Sequence, residues 1–160
     1  MKVLIVGSRE FKDYDYLDLM CVDFIAKEQY EREISTAEIE IVSGHAEGAD
    51  RLAENFAFRH GLPIQLFPAD WNRLEVSGSE QLFIKENFYG KFNAMAGINR
   101  NTKMVEYCRQ NGGGIVIAFI QGNSKGTKDT IRKSKIAGLK VYQVDYDKKK
   151  VKVIENETLE

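Results

Sequence analysis

Residues 112–130, GGGIVIAFIQGNSKGTKDT, decide how the rest of the chain is read. Three glycines break whatever precedes them. Ile115, Val116, Ile117, Ala118 and Phe119 then form an uninterrupted, β-branched apolar run. A strand buried on both faces has that composition. A polar loop (Gln121, Gly122, Asn123, Ser124, Lys125) gives way at Gly126-Thr127 to a segment with helical spacing. Strand, glycine-containing loop and helix N-terminus make a minimal anion cradle. The first amides of the helix lack internal partners, the dipole favours negative charge, and glycine admits a ligand close to the backbone. Thr127 is a suitable N-cap. An ordinary strand–helix turn capped by threonine reads the same way, so the recurrence of the pattern elsewhere has to decide between them.

It recurs on the N-terminal side. Residues 2–6 are a second apolar run, followed by Gly7, Ser8 and Arg9. Over residues 14–33, Leu17, Met20, Cys21, Phe24 and Ile25 step by three and four, the spacing of one apolar helix stripe. Residues 39–42 predict another strand, ending in SGHAEGAD, after which Ala49, Leu52, Ala53, Phe56 and Ala57 repeat the helical stripe. Residues 63–67 predict a third strand, of the kind a proline can open. Residues 72–92 change character: polar and glycine-containing, yet rich in aromatics, they predict an excursion from the sheet with a helical turn or two over 80–87. Helices are expected over 99–110 and 127–137, a strand over 140–144, and a last apolar run over 151–154. Strands alternating with helices give an α/β, doubly wound, mainly parallel sheet of about five strands with helices on both faces. A single domain over 1–160 is expected, with an insertion at 72–92 and a C-terminal extension at 145–160.

A net charge of −1 advertises neither nucleic acid nor an anionic membrane surface. Cys21 and Cys108 fall on apolar helix positions and read as reduced core thiols. With His45 and His60 the only histidines, a zinc site lacks soft ligands, and neither metal nor cofactor is expected. The N-terminal apolar run is too short for a signal peptide or a membrane span, so the expected compartment is the cytoplasm.

Parallel strands joined by right-handed crossovers present their carboxyl ends along one edge, where ligands bind. Three strand–helix junctions rich in glycine and small residues meet there: Gly7, Ser8 and Arg9; Ser43, Gly44, Glu47, Gly48, Ala49 and Asp50; Gly122, Gly126 and Thr127. They describe a pocket floored by backbone amides and suited to phosphate and a sugar. Arg9 can pair bidentately with phosphate, or with a neighbouring carboxylate. Asp50 and Glu47 fit either helix capping or a ligand role. His45 reads as solvated loop, and Ser8 and Ser43 have no base at a useful spacing. Asn99, Arg100 and Asn101 open the third helix and bring a second cation and amides over the pocket. Trp71 reads as cover for the core in preference to a base-stacking platform. The aromatics of residues 82–92 either cover the sheet edge or form a homo-oligomer contact.

Taken in order, VGSREF, SGHAEGADRLAENFA, FPADW, GK…AGINRNTKM and AFIQGNSKGT resemble the YspA/YpsA-related branch of the SLOG superfamily. These Rossmann-like domains are similar to the DNA-processing protein DprA and the LOG phosphoribohydrolases. The resemblance implies a Rossmann-like sheet binding a nucleotide or nucleotide-derived ligand. By position, it assigns ligand contacts to Gly7, Ser8, Arg9, Ser43, Gly44, Gly48, Ala49, Asp50, Arg100, Asn101, Gly122, Gly126 and Thr127. LOG enzymes carry PGGxGTxxE, whose glutamate serves N-glycosidic cleavage; here its position is Thr130, with Asp129 one residue early. A displacement of one helical position turns a side chain by a quarter-turn or more.

Three readings follow. The first is binding of a nucleotide or phosphorylated nucleoside as a sensor or processing module. The second is N-glycosidic hydrolysis of nucleoside monophosphates, with Asp50, Glu47 and Asp129 as candidate catalytic carboxylates. The third is DprA-like single-stranded DNA binding, favoured by Lys125, Lys128, Arg132, Lys133 and Lys135 on one helix. It is opposed by the charge balance elsewhere and by the want of interleaved aromatics.

Overall fold

The computed structural model describes residues 1–155. In chain order its elements are β1 (Lys2–Gly7), α1 (Tyr14–Arg32), β2 (Glu40–Ser43), α2 (Ala49–Arg59), β3 (Ile64–Leu66), β4 (Ile84–Asn87), β5 (Gly90–Asn93), α3 (Ala96–Arg109), β6 (Ile115–Ile120), α4 (Lys125–Ile136), β7 (Lys140–Asp145) and β8 (Lys150–Ile154). The main sheet runs β3-β2-β1-β6-β7-β8. Its first five strands are parallel, and β8 returns antiparallel beside β7. The expected doubly wound, Rossmann-like sheet is therefore present, and residues 151–154 extend it by a sixth strand.

Alternation along the strands divides the core. Val3, Ile5, Ile115, Ile117 and Phe119 face α1 and α2, packing with Leu17, Cys21, Phe24, Ala53 and Phe56. Leu4, Val6, Val116 and Ala118 face the other layer, where Met104, Val105 and Cys108 of α3 and Ile131 of α4 cover them. Both cysteines are buried core thiols, as their helix positions predict.

Four local expectations are corrected. Residues 80–87 hold no helical turn: β4 and β5 form an antiparallel hairpin pairing Ile84 with Asn93 and Asn87 with Gly90. The Asn87 side chain accepts the Tyr89 amide at 2.9 Å and closes the turn. The hairpin aromatics do not cover the sheet edge, since Phe88 and Tyr89 stand at the tip, 96% and 93% exposed. Third, α3 starts at Ala96, so Asn99, Arg100 and Asn101 lie beyond its N-terminus. Asn99 instead moors the insertion: its carboxamide accepts the Gln81 amide and donates to the Gln81 carbonyl, both at 2.8 Å. Finally, Ser124 caps α4 in place of Thr127, accepting the Thr127 amide at 3.3 Å. A cap three residues earlier brings Lys125 and Gly126 into the helix's first turn.

Candidate functional site

Strand order reverses between β1 and β6, and the loops leaving their carboxyl ends diverge there. A cleft of about 310 Å³ opens at this point. Its walls are Gly7, Arg9 and Glu10 after β1, Ala46 and Asp50 from the β2–α2 junction, and Arg100, Asn101 and Met104 on α3. Asn123, Ser124, Lys125, Gly126, Thr127 and Thr130 close it at the head of α4.

The loops are pressed together where a side chain would not fit. A Cβ on Gly7 would lie 2.4 Å from the Phe119 carbonyl oxygen and 2.6 Å from Ala49 Cβ. One on Gly48, whose φ is +81°, would lie 2.4 Å from the Ser8 carbonyl oxygen and 2.5 Å from that of Arg9. One on Gly44 would lie 2.8 Å from both Arg100 Nη1 and Asp50 Oδ2. Hydrogen bonds complete the junction: the Gln121 amide donates to Ser8 Oγ at 2.9 Å, and the Ser8 amide to the Phe119 carbonyl at 3.0 Å. Gly126 is the opposite case. It lines the cleft from the first turn of α4, and a Cβ there would meet nothing within 4 Å. Glycine inside a helix costs about 1 kcal/mol relative to alanine, and no neighbour in this chain requires it.

Of the residues expected to touch a ligand, Gly7, Arg9, Asp50, Arg100, Asn101, Gly126 and Thr127 line the cleft. Ser8, Ser43 and Ala49 are wholly buried behind it. The Ser43 hydroxyl donates to the Asp50 carbonyl at 2.9 Å and accepts the His45 amide at 3.1 Å. Gly44 and Gly48 are the contact points just described. The Gly122 amide donates to Asp147 Oδ2 at 3.1 Å, tying the β6–α4 loop to the β7–β8 turn. Glu47 borders a shallow depression beyond Arg9, with Lys12 and Arg51. His45 stands outside the lining with Nδ1 2.9 Å from Glu54 Oε1. Trp71 is 38% exposed; a Cβ on Gly97 would lie 3.3 Å from its indole and 3.6 Å from Arg100 Nη2.

Thr130 faces the cleft, its hydroxyl donating to the Gly126 carbonyl at 3.2 Å. Asp129 turns away to Lys133 at 2.8 Å, Arg132 at 3.1 Å and Asn101 at 3.1 Å. Burial pushes the Asp129 carboxyl up, but those donors together hold it below its ordinary value. Sequence reasoning passed over Glu10, Ala46 and Met104. Met104 reads as core by helical spacing, and it reaches the cleft because it lies one turn beyond Arg100 on the same face of α3.

Arg9 and Lys125 make no ion pair among the described residues. Arg100 is engaged: Nε donates to Asn101 Oδ1 at 2.9 Å, and Nη1 to the Gly44 carbonyl. Burial pulls its guanidinium below the ordinary value, while Asp50 pulls it up. Asp50 is 6% exposed, and its Oδ2 accepts the Ala46 amide at 3.3 Å. Burial raises its carboxyl to about 6, against the opposing pull of Arg100 and the Ala46 amide. An unfolded aspartate titrates near 3.9, so between about pH 4 and 6 the folded chain holds this proton more tightly. Asp50 thus contributes stability that is complete below about pH 4 and lost as pH rises through 6. Two units correspond to about 3 kcal/mol. Asp50→Asn cannot ionise, so the wild-type-minus-variant stability difference in urea titrations should fall by about that amount between pH 4 and 7. A difference constant across the range would remove the case for a strained carboxylate.

Fold and cleft together define the class: a Rossmann-like α/β domain with its open site at the sheet's reversal point. Residues 1–74 match the model of the YspA, cpYpsA-related SLOG family, and this part of the chain is similar to that YspA-related SLOG branch. The chain is also similar to the Gene 61 protein of Mycobacterium phage D29, 29% identical over 145 residues, an alignment covering 88% of this chain and 93% of that protein. The match over residues 1–74 suggests nucleotide-related binding or processing in the broad sense. Among the described residues, no helix is long and apolar enough to cross a membrane.

Proposed function

We propose that the chain binds a nucleotide or other phosphorylated nucleoside in the cleft between β1 and β6, as a sensor or processing module. One observation carries the reading: Arg9 and Lys125, two cations with no ion-pair partner among the described residues, line one cleft with a glycine at the head of α4 that no described atom crowds. Phosphate lies against the first amides of α4, where the dipole and the unpaired N–H groups favour an anion. Val6 and Met104 give an apolar floor for sugar or base, and Asn101, Thr130 and Asp50 offer polar groups to sugar hydroxyls. A cleft of about 310 Å³ is at the small end of the roughly 300–1,000 Å³ range of ligand sites, which suits one nucleotide. The hairpin tip, Phe88 and Tyr89, serves self-association, away from this chemistry.

Thermal-shift screening against nucleoside mono- and diphosphates tests the reading, because a ligand that binds only the folded state raises its apparent stability. At about 100 times Kd the gain is about 2.7 kcal/mol. Arg9→Ala should abolish most of the shift without lowering the unliganded midpoint. A screen in which no nucleotide shifts the wild type sinks the proposal.

Asp50 favours a second reading, N-glycosidic cleavage. A carboxyl that keeps its proton up to about pH 6 suits a general acid for a departing base. Free-base release that persists unchanged in Asp50→Asn excludes it.

A further inference from the structure

α1 carries two apolar stripes. Leu17, Cys21, Phe24 and Ile25 face the sheet and are buried. Leu19, Val22, Ala26 and Tyr30 step by three and four along the opposite face, and all four are exposed. Leu19 stands 61% and Tyr30 87% in solvent. The other helices have no such second stripe. Among their large apolar residues α2 exposes Phe58 alone, α4 exposes Ile136 alone, and α3 exposes none. Apolar residues exposed singly are ordinary; four in line over about 16 Å of helix mark a contact surface.

The borders of the stripe indicate what covers it. Along one side lie Asp23 and Lys27, both exposed. Their spacing of four suits an ion pair, yet they pair neither with each other nor with any other described residue. Along the other side the polar groups are occupied. Asp18 Oδ2 lies 2.8 Å from both the His60 imidazole and the Tyr14 hydroxyl, and the Gln29 carboxamide donates to Thr36 Oγ1 at 3.2 Å. Uncommitted charge therefore runs along one border, and it is of both signs.

This pattern is its own complement when turned end for end. A two-fold axis at the height of Phe24 and Ile25 sets Leu19 against the partner's Tyr30 and Val22 against the partner's Ala26. The same axis brings Asp23 beside the partner's Lys27, and each pairing occurs twice. Small side chains meet in the middle, where helix axes approach most closely, and large ones meet toward the ends. A parallel pair would set the charged border against the occupied one. Asp15 and Glu33, at the ends of the stripe, are exposed to water, where their repulsion is screened. The hairpin tip is a separate surface, since its insertion is moored to α3 through Asn99, on the other layer of the sheet.

We propose that the outer face of α1 docks a second copy of this chain, antiparallel across a two-fold axis, with Asp23–Lys27 pairs along one border. α1 runs back from the cleft edge of the sheet, so antiparallel α1 helices hold the two clefts at opposite ends of the dimer. One helix pair gives an interface at the low end of the specific range, so the dimer is reversible and micromolar. The inference is independent of what the cleft binds.

The test is charge exchange, read by sedimentation velocity from about 5 to about 200 μM, where a micromolar dimer dissociates. Every sample carries Phe88→Ser and Tyr89→Ser, which silence the hairpin tip and leave α1 untouched. Asp23→Lys alone and Lys27→Asp alone should each raise the dimer dissociation constant at least about tenfold, because two attractive pairs become two repulsive ones. Mixed in equal amounts, these two variants should form a heterodimer as tight as the parent dimer, since every pair across the interface is again of opposite sign. Misfolding cannot imitate that recovery. Combined Leu19→Ser and Tyr30→Ser should abolish the dimer.

A parent chain that stays monomeric throughout the range overturns the proposal. So do single charge variants that dimerise as well as the parent, a mixture that recovers nothing, or a dimer that survives the two serines in the stripe.

Discussion

Gly48→Ala should be among the most damaging single-methyl additions in this chain, with an expected loss of about 2–6 kcal/mol. Two costs combine. Gly48 sits at φ +81°, where an L side chain is strained by about 1–3 kcal/mol. Its new Cβ would also fall 2.4–2.5 Å from two carbonyl oxygens of the neighbouring loop. Those oxygens belong to backbone and have no rotamer to escape into, and forced overpacking adds about 1–3 kcal/mol. Domains of this kind are stable by about 5–15 kcal/mol, so the variant should populate unfolded chain at modest urea concentrations. Gly61→Ala is the proper control. Its φ is +64°, but a Cβ there meets nothing within 4 Å. It carries conformational strain without the collision, and the difference between the two urea midpoints measures the contact between the β1 and β2 loops. Equal midpoints would mean that these loops are not pressed together, and the cleft would lose one wall.

Gly126→Ala is expected to do the reverse: strengthen the fold while removing binding. The residue lies in a helix and a Cβ there has open space around it. Alanine should therefore add about 0.4–1 kcal/mol by restricting the unfolded chain, about 1–4 °C in midpoint for a chain of this size. The added methyl, however, projects where a phosphate would approach the first amides of α4. Nucleotide affinity should drop at least about tenfold, and Gly126→Val should lose it altogether. Few substitutions separate stability from binding with opposite signs. A variant that is more stable and binds as well as wild type would show that the open space above Gly126 is not where the ligand sits.

Much of this was legible in the sequence because the chain repeats one device. The runs at residues 2–6 and 115–119, each followed by small residues, read as parallel strands whose loops share one edge, and β1 and β6 are parallel strands of one sheet. The LOG comparison was informative through its departure: Thr130 occupies the cleft-facing position and Asp129 turns to Lys133. What stayed hidden depends on contacts remote in sequence. The hairpin of residues 84–93 has strands of four residues, too short for alternation to betray them, and aromatics at its tip imitate core. Asn99 looks like a helix cap, yet its carboxamide is taken by the Gln81 backbone, 18 positions away. Ser124 and Thr127 are equally good caps in isolation; the path of the loop out of β6 chose the serine. Ser8 looks like a ligand hydroxyl, but the Gln121 amide claims it.

That last bond, with the Gly122–Asp147 bond beside it, bears on the thermodynamics of recognition. The two sides of the cleft are fastened to each other in the free chain, so a ligand bound there as proposed would leave little loop entropy to lose on association. A molecule built this way behaves as a pre-formed mould: its selectivity lies in shape and charge already in place, and affinity for an ill-fitting guest cannot be recovered by closing around it.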